Sequence, residues 1–123
     1  MTSIAEGSAP PARRVRPFAI AVGVVVVISI AAYAGRIPSF VAAHGVDKVL
    51  HATMGATLTF LLTRALRGRA AIAAVMVMIP LAADEYLQRF SATRSSDWGD
   101  LAADVTGVVL VVILHHARSL RRC

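Results

Sequence analysis

Asp47, Lys48 and His51 open one apolar stretch of this chain, and Asp84, Glu85 and Gln88 close the next. Arg94, Asp100 and Asp104 follow within sixteen residues of Gln88. In a sequence that is 57% hydrophobic, five of the seven carboxylates lie between Asp84 and Asp104. Carboxylates with a nearby carboxamide suit a hard cation such as Mg2+ or Ca2+, which takes oxygen ligands; Asp84, Asp100 and Asp104 are the expected ligands. A cation there would hold a phosphate group, with Lys48, Gln88 and Arg94 as further binding contacts. His51, four residues after Asp47, has the chemistry of a general acid or base, and Glu85 joins the two as a catalytic candidate. The plainer alternative is that Lys48, Arg89 and Arg94 pair with the carboxylates and only hold helix ends together.

Other chemistries fit less well. Ser95 and Ser96 are near enough to suggest a nucleophile, but loop serines are usually solvated. On the side of the acidic cluster zinc finds only His51 and His44 as nitrogen ligands, and the single cysteine is the last residue, Cys123. His115 and His116 suit a helix C-terminus, and Tyr86, Phe90 and Trp98 suit an aromatic interfacial belt. Gly55, Ala103 and Gly107 read as close-packing positions between helices.

The elements that would position the polar residues are apolar runs long enough to cross a bilayer, which takes about 17–25 residues. They cover residues 17–34, 46–66, 70–87 and 101–117, giving an all-α membrane protein with four transmembrane helices in a small bundle. Residues 1–16 read as a disordered polar tail and 118–123 as a basic one. A cleaved signal peptide is the rival for the first run, since Ala32-Tyr33-Ala34 mimics a cleavage site. Its length and the spans that follow favour an uncleaved anchor. Pro80 is tolerable in a membrane helix whose neighbours satisfy the freed carbonyl.

With four spans, the N-tail, the 64–69 turn and the C-tail share one side. Those regions hold nine of the thirteen basic residues and one acid, Glu6, whereas the other side holds four bases and six acids. Short basic loops face the cytoplasm, so both termini are expected there. The net charge of +6 then reports membrane orientation, and no nucleic-acid partner is implied.

Depth follows from the helical rise. Asp47 to Arg64, Arg69 to Asp84 and Leu101 to Arg118 each span about 22–26 Å at 1.5 Å per residue. Three helices thus bring polar residues to one outer level. His51 and Asp104 lie about a turn deeper, where an ionisable side chain turns toward the bundle interior or water.

"DKVLH" (47–51), "DEYLQRF" (84–90), Arg94, Asp100, Asp104 and Gly107 together resemble the VanZ-like family of small bacterial membrane proteins. The family pattern has Asp-Lys-x-x-His entering one helix and Asp-Glu-x-x-Gln closing the next. A loop Arg follows, with acidic or amide residues and Gly at the offsets found after Arg94. The likeness covers roughly residues 45–110. Where the family often has Pro-Gly before the loop arginine, this chain has Ala92-Thr93, so a different turn is expected. The resemblance implies the bacterial cytoplasmic (inner) membrane, a role in the cell envelope and an effect on resistance to teicoplanin-type glycopeptides. Besides the lipid bilayer, envelope lipids or lipid-linked precursors are the partners to consider. The alternative is a small intramembrane, metal-dependent enzyme acting on a phosphate-bearing lipid.

Overall fold

A computed structural model describes residues 11–41, 43 and 45–122. Its elements are four helices: α1 (Pro11–Tyr33), α2 (Val46–Ala65), α3 (Ala70–Gln88) and α4 (Trp98–Leu120). Three of them, α1, α3 and α4, are long and apolar enough to cross a membrane. α2 is not among the three. Its 20 residues include Asp47, Lys48, His51, Arg64 and four threonines. These suit a helix that all three others pack against.

The helices start and stop where local chemistry dictates. α4 begins three residues before the apolar run because Asp97 caps it, its carboxylate accepting from the Gly99 N–H at 2.8 Å. α1 begins at Pro11, six residues earlier than its apolar run, so Arg13, Arg14 and Arg16 are helical and not part of a disordered tail. Residues 1–10, His44 and Cys123 lie outside the described residues. α1 closes in a Schellman arrangement: Arg36 N–H reaches the Ala31 carbonyl and Gly35 N–H the Ala32 carbonyl, with Gly35 at φ 67°. α2 closes the same way, Gly68 N–H to Thr63 and Arg67 N–H to Arg64. There the left-handed position is filled by Arg67, at φ 56°.

Buried positions on α2 (His51, Gly55, Leu58, Thr59, Leu62 and Thr63) follow a helical stripe. Leu58 and Leu62 meet Ala73, Val77 and Leu81 of α3 and Val108 of α4 in one core. Phe18, Ala21 and Val25 of α1 pack on its edge, and α1 contacts no helix but α2 through its backbone. The outer faces stay apolar: Val27, Ile30, Ile79 and Ile113 are all more than half exposed. Such a surface is unfavourable in water and matches lipid.

α2 and α4 cross most closely at two glycines. A Cβ on Gly55 would stand 2.6 Å from the Asp104 carbonyl oxygen, and one on Gly107 would overlap the backbone of Ala52. Each glycine lies about one turn further along its helix than the polar residue, Gly55 after His51 and Gly107 after Asp104, so backbone contact fixes how near His51 comes to Asp104.

Candidate functional site

The start of α2, the end of α3 and the start of α4 meet at one end of the molecule, as the depth argument requires. His51 is at the centre and is 8% exposed. Its Nδ1 lies 3.1 Å from Oδ2 of Asp104, within hydrogen-bond reach. Its Nε2 faces Asp47 Oδ1 at 3.7 Å and Asp100 Oδ2 at 3.8 Å. Asp47, His51 and Asp100 are the group, among the described residues, whose ligand atoms lie close enough together to hold a metal ion.

The three carboxylates expected as ligands therefore part company. Asp100 belongs to the trio. Asp104, 2% exposed, is engaged with the far ring nitrogen of His51. That is the place of a carboxylate that orients a ligating histidine. Asp84 is tied elsewhere: Oδ2 accepts from Gln88 Nε2 at 3.1 Å, and the Tyr33 hydroxyl lies 3.1 Å from Oδ1 and 3.2 Å from the Asp84 carbonyl oxygen. Asp47, expected as a catalytic partner of His51, is grouped with it and Asp100 in that trio. Glu85 accepts the Asp97 N–H at 2.6 Å through Oε1 and so anchors the segment leading into α4.

Cations are few. Lys48 Nζ bridges Asp97 (2.7 Å) and Asp100 (3.2 Å). Arg89 instead lies over the rings of Trp98 (4.9 Å) and Tyr86 (5.5 Å), and Arg94 over that of Tyr33 (5.7 Å). Among the described residues neither arginine is within ion-pair distance of a carboxylate. Among the described residues, three buried acceptor oxygens, Asp104 Oδ1, Glu85 Oε2 and Gln88 Oε1, have no donor. Pairing with a lysine or arginine thus accounts for Asp97 and Asp100, and among the described residues the other carboxylates are held by hydrogen bonds or face His51.

Beside the trio is a cavity of about 320 Å3. Asp47, Lys48, Asp97 and Asp100 line one wall, Thr93, Arg94 and Ser95 another, and Ala32, Gly35, Ile37 and Val41 close it. Arg94 therefore reaches the site despite the altered loop. The turn at Ala92-Thr93 docks on the end of α1, where the Thr93 hydroxyl donates to the Tyr33 carbonyl at 2.8 Å. Gln88, by contrast, is 1% exposed and does not line the cavity.

Sequence reasoning passed over two participants. Asp97 both caps α4 and binds Lys48, and an Asp three residues before Asp100 at a helix start is a capping signal. Tyr33 carries no such signal, because a tyrosine at the end of an apolar run is what an interface belt also produces.

The chain matches no known family model, no curated protein and no solved structure. The VanZ-like resemblance rests on its motif residues alone.

Proposed function

We propose that the chain is a four-span membrane protein of VanZ-like type, with both termini in the cytoplasm of a bacterial cell, acting in the envelope through a cation site at its acidic end. The observation that carries this reading is the placement of His51. Its Nε2 faces two carboxylates at near-ligand spacing while Asp104 holds Nδ1, a layout that metal-ligating histidines share. The separations of 3.7 and 3.8 Å are wider than the roughly 3 Å between neighbouring ligands of an octahedral ion bound at about 2.1 Å, so the side chains would close in by less than about 1 Å on binding. The two carboxylates suit a hard ion such as Mg2+ or Mn2+, and the imidazole extends the set toward Zn2+ or Fe2+, which widens the expectation from oxygen ligands alone.

A divalent ion held by Asp47, His51 and Asp100 would polarise a phosphate oxygen. Lys48 and Arg94 line the adjoining cavity and would hold the anion. Binding of a lipid-linked phosphate on the outer surface is a direct route to altered glycopeptide sensitivity. The enzymatic reading, turnover of a phosphate-bearing lipid, draws on the same cavity.

Cation binding by the purified protein in detergent tests the site, measured calorimetrically with Mg2+, Mn2+, Ca2+ and Zn2+. Wild type should bind one ion, and His51→Gln or Asp100→Asn should bind at least about tenfold more weakly. Glycopeptide sensitivity of cells producing His51→Gln at wild-type levels tests the role. Unchanged sensitivity relative to wild type would remove the site assignment. Hydrolysis of a phospholipid or lipid diphosphate, lost in the same variant, would favour the enzyme.

Topology is tested in a Cys123→Ser background with single cysteines replacing Phe40, Arg69, Ser95 or Leu120. Ser95→Cys should react with an impermeant reagent from outside and Arg69→Cys should not. The reverse pattern would sink the orientation.

A further inference from the structure

The opposite end of the bundle carries a larger cavity, about 860 Å3, between α1, α2 and α4. It is lined by Arg13 and Arg14 of α1, Arg64 and Arg67 around the α2 terminus, and His115 and Arg118 of α4. No carboxylate lines it, and none of these arginines forms an ion pair among the described residues. The remaining acid of the sequence, Glu6, is not among those residues. Arg64 rests over the ring of Phe60 at 5.8 Å.

The walls below the arginines are apolar. Phe60 and Leu61 stand on α2, Val111 and Leu114 on α4, and Pro17 on α1. The cleft exists because α1 leans on α2 and makes no backbone contact with α4. A second, independent feature points inward. Thr63 lines the cavity, is 4% exposed, and its Oγ1 has no hydrogen-bond partner among the described residues.

Five arginines over an apolar slot demand a ligand that is anionic at one end and apolar along its length. We propose that this cavity is a binding site for one anionic glycerophospholipid. The headgroup phosphate lies among the arginines and the Thr63 hydroxyl, and an acyl chain runs between α1 and α4 along Phe60, Leu61, Val111 and Leu114. Basic pockets between membrane helices take anionic headgroups by the same electrostatics, and guanidinium groups match phosphate oxygens in pairs. The lipid fills the gap that the backbone leaves beside α1. This inference uses no residue of the acidic site and stands or falls separately from it.

The test uses the full chain, purified in detergent and reconstituted in nanodiscs of phosphatidylcholine with a minor share of phosphatidylglycerol or cardiolipin. Native mass spectrometry then counts retained lipids. Wild type should keep one anionic lipid per chain, and Arg64→Gln/Arg118→Gln should lower retention by about tenfold. Thr63→Val should lower it severalfold with its fold unchanged. Arg67→Asn guards against a folding artefact, because asparagine tolerates the left-handed conformation at this turn. It should keep its helicity and thermal midpoint and still retain less lipid. Arg121→Gln/Arg122→Gln, outside the cavity, should retain lipid like wild type.

Equal loss in that control pair would show a general basic belt and overturn the site. Equal retention of phosphatidylcholine would do the same. Displacement of the lipid by millimolar inorganic phosphate would assign the arginines to a soluble anion instead.

Discussion

His51 Nδ1 and Asp104 Oδ2 lie 3.1 Å apart although the two residues are 53 positions apart in sequence. Both are buried at the α2–α4 crossing, so each depends on the other. Asp104→Ala should lower stability by about 1–3 kcal/mol, the usual cost of leaving a buried polar group without its hydrogen-bond partner. Asp104→Asn keeps shape and a hydrogen-bonding oxygen, and should lose clearly less. Thermal unfolding in detergent, read by helical circular dichroism, checks the order of the two.

Gly107 sets that distance. An alanine there would overlap Ala52, and one at Gly55 would press on the Asp104 carbonyl. Gly107→Ala should therefore cost about 1–3 kcal/mol by overpacking and weaken cation binding as well. Gly23 has nothing within 4 Å of its would-be Cβ, so Gly23→Ala should leave both measurements unchanged. Equal effects from the two substitutions would show that the crossing does not position the site.

The division of the carboxylates gives a third test. Asp47→Asn and Asp100→Asn should each weaken cation affinity at least about tenfold. Asp84→Asn should leave it within about twofold, because Asp84 is engaged by Tyr33 and Gln88. A cation lost in Asp84→Asn but kept in Asp47→Asn would restore the ligand set read from the sequence.

Lys48 tests ligand against scaffold. Its pair with Asp97 is open to solvent, where ion pairs contribute little, and Asp100, although buried, also has His51 Nε2 at 3.8 Å. Lys48→Met should barely change the unfolding midpoint and should reduce binding of a phosphate-bearing lipid headgroup at the acidic end. An unfolding defect with binding intact would make Lys48 a structural residue.

The loop at Thr93 holds α1 to the rest of the fold. Thr93→Val removes the hydroxyl that donates to the Tyr33 carbonyl, and Tyr33→Phe removes the donor to Asp84. Each should cost about 0.5–1.5 kcal/mol. In the double variant the losses should not be additive, since both act on the same helix end. Additive losses would mean that the two contacts work independently.

Much of this architecture is determined by composition and periodicity. Apolar runs name the four helices, three of them long and apolar enough to span a membrane, and the 1.5 Å rise per residue places Asp47, Asp84 and Asp100 at one end. Breakers and caps set the ends to within a few residues, apart from α1, where the helix runs six residues back through Arg13, Arg14 and Arg16 to Pro11. Helical arginines are compatible with both a tail and a first turn, and local pattern does not separate them.

Which polar residues touch is a different matter. Asp84, Asp100 and Asp104 are alike in type and lie within about one turn of the same level, and nothing in their spacing says that one joins His51 Nε2, one takes Nδ1 and one turns to Tyr33. That choice is made by helix rotation and by the close approach at Gly55 and Gly107. Both depend on packing between segments some fifty residues apart, which no local sequence signal encodes. The basic cavity has the same origin: the arginines are plain in the sequence, but the slot beneath them exists only because α1 packs on α2 and stays away from α4.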